Sequence, residues 1–139
     1  MLPPFQELQN HAIVMPRKDS ILRSKSESYA DRIVKLYKHV LALGENVMSQ
    51  QIYRSGTSIG ANIAESTNAQ SKADFISKLS IALKEANETE YWLSRLYQAE
   101  YIDERGFTSM KHDNDELIKM LVSSIKTVKN NMESQEEGR

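Results

Sequence analysis

The position of its prolines constrains this chain more than any other feature. All three prolines lie before residue 17, so more than 120 residues follow without the residue that disrupts helices most strongly. A chain of 139 residues has room for one domain built around one hydrophobic core. The sequence therefore predicts an all-α fold.

The spacing of apolar residues defines the first helix. One set follows the alternating steps of four and three that place side chains on one helix face: Tyr29, Ile33, Leu36, Val40, Leu43 and Val47. A second set lies one residue further on and widens the stripe: Ala30, Val34, Tyr37 and Leu41. So broad a stripe is typical of a bundle core. We expect the helix to begin at about Ser26 or Ser28, which both suit an N-cap, and to end before Gly44.

Cap residues mark the next two helices. The second helix is predicted to begin after Glu45 and Asn46, with Ser49 as a candidate N-cap, and to continue to about Thr67. Ser71 has the side chain of an N-cap, and Asp74 lies three residues later, as in a capping box. We therefore expect a third helix over residues 72 to 100.

A fourth helix completes the predicted fold. Apolar spacing places it from residue 107 to about residue 130. Four helices joined by short turns pack as antiparallel neighbours, so we expect an up-down-up-down four-helix bundle over residues 20–130. Residues 1–19 hold every proline and are expected to form an extended or disordered segment. Residues 131–139 are expected to form a flexible tail.

Two glycines interrupt the second predicted helix. Each costs about 1 kcal/mol relative to alanine inside a helix, so their presence needs a reason. Gly56, Gly60 and Ala64 lie four residues apart and share one helix face. Small residues at this spacing allow another backbone or a bulky side chain to come close. We interpret the three residues as a ridge that contacts a neighbouring helix.

The composition excludes several classes of protein. The chain has no cysteine, which rules out disulfides and thiolate metal sites. No apolar run approaches the roughly 18 residues of a membrane helix, and the N-terminus lacks the features of a secretory signal. We therefore expect a cytoplasmic protein without membrane contact. The sequence leaves open whether translation starts at Met1 or at Met15.

Charge is distributed unevenly, although the formal net charge is only -1. Residues 17–38 carry seven basic and three acidic side chains, a balance of +4, whereas residues 101–116 have a balance of -3. A charged run is usually a solvated face. If nucleic acid is bound, this basic segment supplies the first candidates for contact: Arg23, Lys25, Arg32, Lys35 and Lys38.

No arrangement in the sequence predicts catalysis, a metal site, a cofactor or a small-molecule substrate. A di-iron bundle requires Glu-x-x-His steps, and none of the three histidines follows a glutamate at that spacing. Ser55 and Ser58 have no recognisable histidine partner and are better interpreted as small helix-contact residues. Tyr91 and Trp92 point about 100° apart on a helix, so we expect one of them to contact another helix, another subunit or a partner.

Three long stretches of the sequence carry a family resemblance: residues 54–65, 71–86 and 88–93. Through them the chain, from about Asp19 to Lys129, resembles the four-helix-bundle proteins encoded in intervening sequences of bacterial 23S ribosomal RNA genes. That family is similar to the accessory variability determinant of diversity-generating retroelements, a ring that binds reverse transcriptase and nucleic acid. The net charge of -1 departs from the strongly basic retroelement proteins.

The resemblance implies a four-helix bundle that assembles into a ring, commonly a pentamer, and it implies no enzymatic activity. Two functions stay open. The first is a non-enzymatic oligomeric scaffold associated with RNA or a ribonucleoprotein. The second is a protein-binding adaptor, for example to a reverse transcriptase, that does not bind nucleic acid directly. The adaptor would use Tyr91, Trp92 or the acidic residues 101–116.

Overall fold

Four helices form the described part of the chain. The structure is a computed structural model that describes residues 17–137. Its helices are α1 (Arg17–Ala42), α2 (Val47–Ser66), α3 (Lys72–Gln98) and α4 (Glu104–Glu137). The predicted all-α fold is confirmed.

Contacts between the helices arrange them as a bundle. α1 and α3 each contact both α2 and α4, whereas the diagonal pairs are not in contact within residues 17–137. Paired residues run in opposite order along neighbouring helices. Between α2 and α3, Arg54 pairs with Glu88 and Glu65 pairs with Lys78. Between α3 and α4, Ala86 pairs with Asn114 and Glu90 pairs with Lys111. These neighbours are therefore antiparallel, as predicted.

The core is formed by the apolar faces of all four helices. Its fully buried large side chains come from each helix in turn: Leu22, Tyr29, Ile33, Val40, Ile52, Ile59, Ile63, Leu79, Leu93, Leu96, Leu117 and Leu121. The buried stripe on α1 ends earlier than predicted. Its last two expected members, Leu43 and Val47, are 54% and 69% exposed. The reason is that α1 stops at Ala42, so its helical period does not continue through the following turn.

Two buried polar contacts lie between helices and fix their register. The hydroxyl oxygens of Ser55 on α2 and Thr89 on α3 lie 3.0 Å apart. Asn114 of α4 is fully buried, and its side-chain amide donates to the backbone oxygen of Ala86 on α3 at 2.9 Å. Such bonds reward one alignment of the helices, because sliding them would leave buried polar groups unpaired.

α1 begins at Arg17, well before the predicted start at Ser26 or Ser28. Leu22 and Ser26 are both buried, so the packed face extends further toward the N-terminus than the apolar spacing showed. The Ser26 hydroxyl does not cap a helix, since it donates to the backbone oxygen of Arg23 at 2.8 Å. The other end agrees with prediction, because Gly44 adopts a φ of 90° just after the helix.

The start of α2 is capped by a residue that the sequence did not indicate. The Glu45 carboxylate accepts hydrogen bonds from the backbone amides of Val47, Met48 and Ser49, the shortest at 2.6 Å. Ser49 was predicted as the N-cap, but it lies inside the helix and is buried. By contrast, Ser71 caps α3 as predicted, and its hydroxyl accepts from the Asp74 amide at 3.0 Å.

The turn between α3 and α4 contains a strained residue. Glu100 adopts a φ of 66°, and the amides of Glu100 and Tyr101 donate to the last carbonyls of α3. α4 then begins at Glu104, where the Asp103 carboxylate accepts from the Gly106 amide at 2.7 Å. It continues to Glu137, beyond the predicted end at residue 130. The division into segments 1–19, 20–130 and 131–139 stays a prediction, and residues 1–16 lie outside the described residues.

Candidate functional site

The basic segment of α1 lies against the acidic segment of α4. Lys25 forms an ion pair with Glu116, and Arg32 forms one with Asp113. The Arg32 guanidinium also donates to the Ser109 hydroxyl at 2.8 Å. The two charged runs that the sequence showed 60 or more residues apart therefore neutralise each other in the fold. Each of these pairs is partly exposed, so each contributes only about 0 to 1 kcal/mol to stability.

The five predicted nucleic-acid contacts therefore differ in availability. Arg23 pairs with Glu27 one turn later at 3.2 Å, so it is also engaged within the chain. Lys35 and Lys38 are exposed and form no ion pair with the residues that the structure describes. Unpaired positive charge on this part of α1 is thus concentrated at these two lysines.

The two glycines of the predicted ridge lie on the side of α2 that faces α1. A Cβ atom on Gly56 would lie 2.6 Å from Cγ1 of Ile33, so only glycine fits there. A Cβ on Gly60 would lie 3.4 Å from the backbone oxygen of Ser26, an ordinary contact. Ala64 is half-buried. The close approach of α1 and α2 is therefore concentrated at Gly56.

An uncharged strip of surface lies on the outer side of these two helices. The rings of Tyr37 on α1 and Tyr53 on α2 contact each other, with centroids 4.7 Å apart. Tyr53 and Leu41 are 42% and 37% exposed. Eight uncharged residues share this side by their helical positions, and none of them is fully buried. We name this surface the α1–α2 face, and its residues are Ala30, Val34, Tyr37, Leu41, Tyr53, Thr57, Ala61 and Ala64.

The aromatic pair predicted to contact a partner lies on the outside of α3. Tyr91 is 56% exposed, and its ring packs edge-on against Trp92 with centroids 4.9 Å apart. The Arg95 guanidinium lies 5.8 Å from the centre of the Tyr91 ring, within cation–π range. The Trp92 indole is partly buried and donates to Glu88 at 3.4 Å. The pair thus presents one free ring and one anchored ring.

Glu88 connects this aromatic pair to α2. Arg54 bridges Glu85 and Glu88, and it makes the shorter contact with Glu88. The hydrogen bond from Arg54 lowers the pKa of Glu88, and the same bond raises the pKa of Arg54. Arg54 therefore has two carboxylate partners on α3.

A groove opens between α1 and the turn that joins α3 to α4. Its α1 wall includes Arg32, Lys35 and His39, and its other wall includes Tyr97 and Tyr101. The sequence did not indicate this groove, because its walls come from segments that are about 60 residues apart.

Two histidines, His39 and His112, lie within residues 17–137. Neither His39 nor His112 is hydrogen-bonded to a serine or threonine hydroxyl within residues 17–137. His112, Asp113 and Glu116 place potential metal-ligand atoms within 4.8 Å of one another. However, Asp113 and Glu116 hold Arg32 and Lys25, so a metal ion would have to displace these cations.

These features define a class: a helical bundle with apolar and aromatic surface strips and without a recognisable catalytic centre in its described part. No helix within residues 17–137 combines the length and the apolar character needed to cross a membrane. Residues 18–123 match the family described as 23S rRNA-intervening sequence protein. The chain belongs to this family, as its resemblance implied.

A solved structure supports the assignment. The chain is 56% identical to a protein of unknown function from the S23 ribosomal protein family of Bacteroides thetaiotaomicron VPI-5482. The match covers 78% of this chain and 98% of that one, with a TM-score of 0.78. No curated protein matches the chain. The predicted similarity to the retroelement accessory protein stays a prediction.

Proposed function

We propose that the protein is a non-enzymatic scaffold that self-associates through the α1–α2 face and binds RNA. The observation that carries the self-association is the contact between Tyr37 and Tyr53 within an uncharged surface strip. Interface centres are depleted in charged residues and enriched in tyrosine. From Ala30 to Leu41 the strip extends about 16 Å along α1.

The geometry of the two helices favours such a contact. Because Gly56 has no side chain, α1 and α2 pack closely there, and the two tyrosines lie over the outer side of this helix pair. In a ring, one face of each copy meets a different face of the next copy. We propose that Tyr91 and Trp92 belong to this second face, and that the ring has five copies, as the resemblance implies.

Light scattering after size-exclusion chromatography tests the assembly. We expect a mass five times that of the 15.9 kDa chain, and we expect Tyr53→Glu to reduce it because the interface would bury an unpaired charge. Asn131→Glu is the matched control, since it adds the same charge at an exposed position of α4. A monomeric wild-type protein, or an unchanged mass for a folded Tyr53→Glu variant, would refute self-association through this face.

The RNA part of the proposal is supported by the family and by the two unpaired lysines of α1. Lys35 and Lys38 are exposed, and a ring would repeat them around its axis, which strengthens weak individual contacts. We expect the affinity for a ribosomal RNA fragment to fall with salt concentration and to fall further when both lysines are changed to glutamate. Lys119→Glu, at an exposed site on α4, is the control. Absence of binding at low salt would overturn the RNA role and leave the scaffold intact.

The aromatic pair on α3 supports a second function, that of a protein-binding adaptor. Tyr91 is exposed and lies beside Arg95, and aromatic and arginine side chains are enriched among residues that dominate binding energy. A partner captured by this surface should stay bound after nuclease treatment and should be lost with Tyr91→Ala. Leu43→Ala, another exposed apolar position, is the control. Capture that disappears with nuclease would instead support the RNA role.

A further inference from the structure

The groove between α1 and the α3–α4 turn has the size of a ligand site. Its volume is about 1010 Å³, at the upper end of the range of about 300 to 1,000 Å³ that is usual for small-molecule sites. It opens because α1 packs less extensively against α4 than the other neighbouring helices pack against each other. The self-association part of the proposed function makes no use of this space, whereas its RNA part uses Lys35, which lines the groove.

The floor of the groove is apolar and its far wall is aromatic. Met110 and Ile102 are 5% and 9% exposed, so they form a rigid floor that belongs to the core. Tyr97 is stacked on Phe107 with ring centroids 4.8 Å apart and planes 11° apart, which fixes its orientation. Tyr101 is half-buried in the same wall. A flat ring can therefore contact fixed aromatic and aliphatic surfaces here.

The near wall carries a row of nitrogen donors. Arg32, Lys35 and His39 lie three and four residues apart, so they share one side of α1. Arg32 is already oriented by Asp113 and Ser109, yet its guanidinium has five N–H donors and so keeps some for a ligand. Within residues 17–137, neither Lys35 nor His39 forms an ion pair. This wall suits an anionic group such as a phosphate.

Two carboxylates complete the rim on the side of the turn. Glu100 and Asp103 line the groove, and one Asp103 oxygen already accepts from the Gly106 amide. Carboxylates oppose a second anion but accept hydrogen bonds from the N–H groups of a base or the hydroxyls of a ribose. A ligand that suits both walls of the groove is anionic at one end and carries hydrogen-bond donors at the other.

We propose that this groove binds a single nucleotide. Its phosphate would lie along Arg32, Lys35 and His39, its base would contact Tyr97 and Tyr101, and its donors would face the two carboxylates. Guanine fits best, since its Watson–Crick edge presents adjacent N–H donors that a carboxylate can accept. The nucleotide is bound and not converted. It is either a free mononucleotide or an unpaired nucleotide of an RNA strand, which share this chemistry.

Calorimetric titration with GMP tests the groove. We expect saturable binding, and we expect guanosine and ribose 5-phosphate each to bind at least about tenfold more weakly, since each lacks one of the two recognised ends. Lys35→Glu should weaken GMP binding by about tenfold or more, whereas the matched charge reversal Lys119→Glu, outside the groove, should leave it unchanged. Tyr101→Ala should weaken GMP more than ribose 5-phosphate.

The source of the nucleotide follows from a comparison of GMP with a short guanine-containing single-stranded RNA. Tighter binding of the RNA indicates an RNA site, and equal or weaker binding indicates a free nucleotide. Saturation by neither probe, or equal affinities for the Lys35→Glu and Lys119→Glu variants, would overturn the proposal. The inference rests on the RNA part of the proposed function only if the RNA binds more tightly, and failures of the two are distinguishable. Tyr53→Glu should change the assembly mass and retain GMP binding, and Lys38→Glu, which lies outside the groove, should weaken RNA binding and retain GMP binding.

Discussion

Replacing Gly56 by alanine probes the tightest contact between α1 and α2. The added Cβ would lie 2.6, 2.7 and 2.8 Å from Cγ1, Cδ1 and Cγ2 of Ile33, whereas carbon atoms in contact are normally about 3.5 to 4.0 Å apart. Ile33 is fully buried and β-branched, so it cannot turn away from three simultaneous clashes. Overpacking of this kind costs about 1 to 3 kcal/mol.

Gly60→Ala is the matched control for this change. Both substitutions gain about 1 kcal/mol of helix propensity, but the Cβ at Gly60 would make only an ordinary contact of 3.4 Å with Ser26. Gly60→Ala should therefore be neutral or stabilising. Because the propensity gain cancels in the comparison, Gly56→Ala should be about 1 to 3 kcal/mol less stable than Gly60→Ala.

Urea unfolding followed by circular dichroism measures this difference. All variants are compared at one protein concentration, because self-association shifts apparent stability. In an Ile33→Ala background the clash is absent, so Gly56→Ala should lose its penalty there, which a double-mutant cycle reports as coupling. Equal stabilities of the two alanine variants, or the same penalty in both backgrounds, would refute the close contact.

Three further changes test local features of the fold. Glu100→Gly should stabilise the protein by about 0.5 to 1 kcal/mol in thermal unfolding. It removes a left-handed non-glycine conformation that costs about 1 to 2 kcal/mol, but part of this gain is lost because glycine gives the unfolded chain more conformational entropy. Glu100→Ala, which keeps the strain, should show no gain. Ser71→Ala should cost about 1 kcal/mol in urea unfolding, and an unchanged midpoint would mean that its bond to the Asp74 amide contributes nothing. Since Arg54 lowers the pKa of Glu88, this carboxylate contributes stability above its ordinary pKa of 4.5 and loses it as the pH falls through the lowered value. Glu88→Gln should flatten the loss of stability below that pH, and equal slopes for both proteins would contradict the linkage.

Features that depend on neighbouring residues could be predicted from the sequence. Gly44 ends α1 and Ser71 begins α3 because each acts through hydrogen bonds that span a few residues. The Glu45 cap was missed because glutamate is not a preferred N-cap, and its reach to three amides depends on the path of the turn. The early start of α1 was missed because a buried serine, Ser26, carries no apolar signal.

The surface was predicted less well than the core. The sequence identified a basic segment, but the carboxylates that pair with Lys25 and Arg32 lie 91 and 81 residues away. Only packing of α1 against α4 determines which lysines remain unpaired. The groove has the same origin, since Lys35 and Tyr101 become neighbours only when the α3–α4 turn reaches α1.

Patterns in the amino-acid sequence are enough to identify a bundle of four helices and to assign the family. The lack of proline after residue 16, the helical spacing of apolar residues and the short turns are properties of the chain that allow few other folds. Packing of the helices against one another sets which charges are neutralised, which aromatic residues stay exposed and where a groove opens. These depend on distances between helices that are remote in sequence, and no local pattern of residues contains that information.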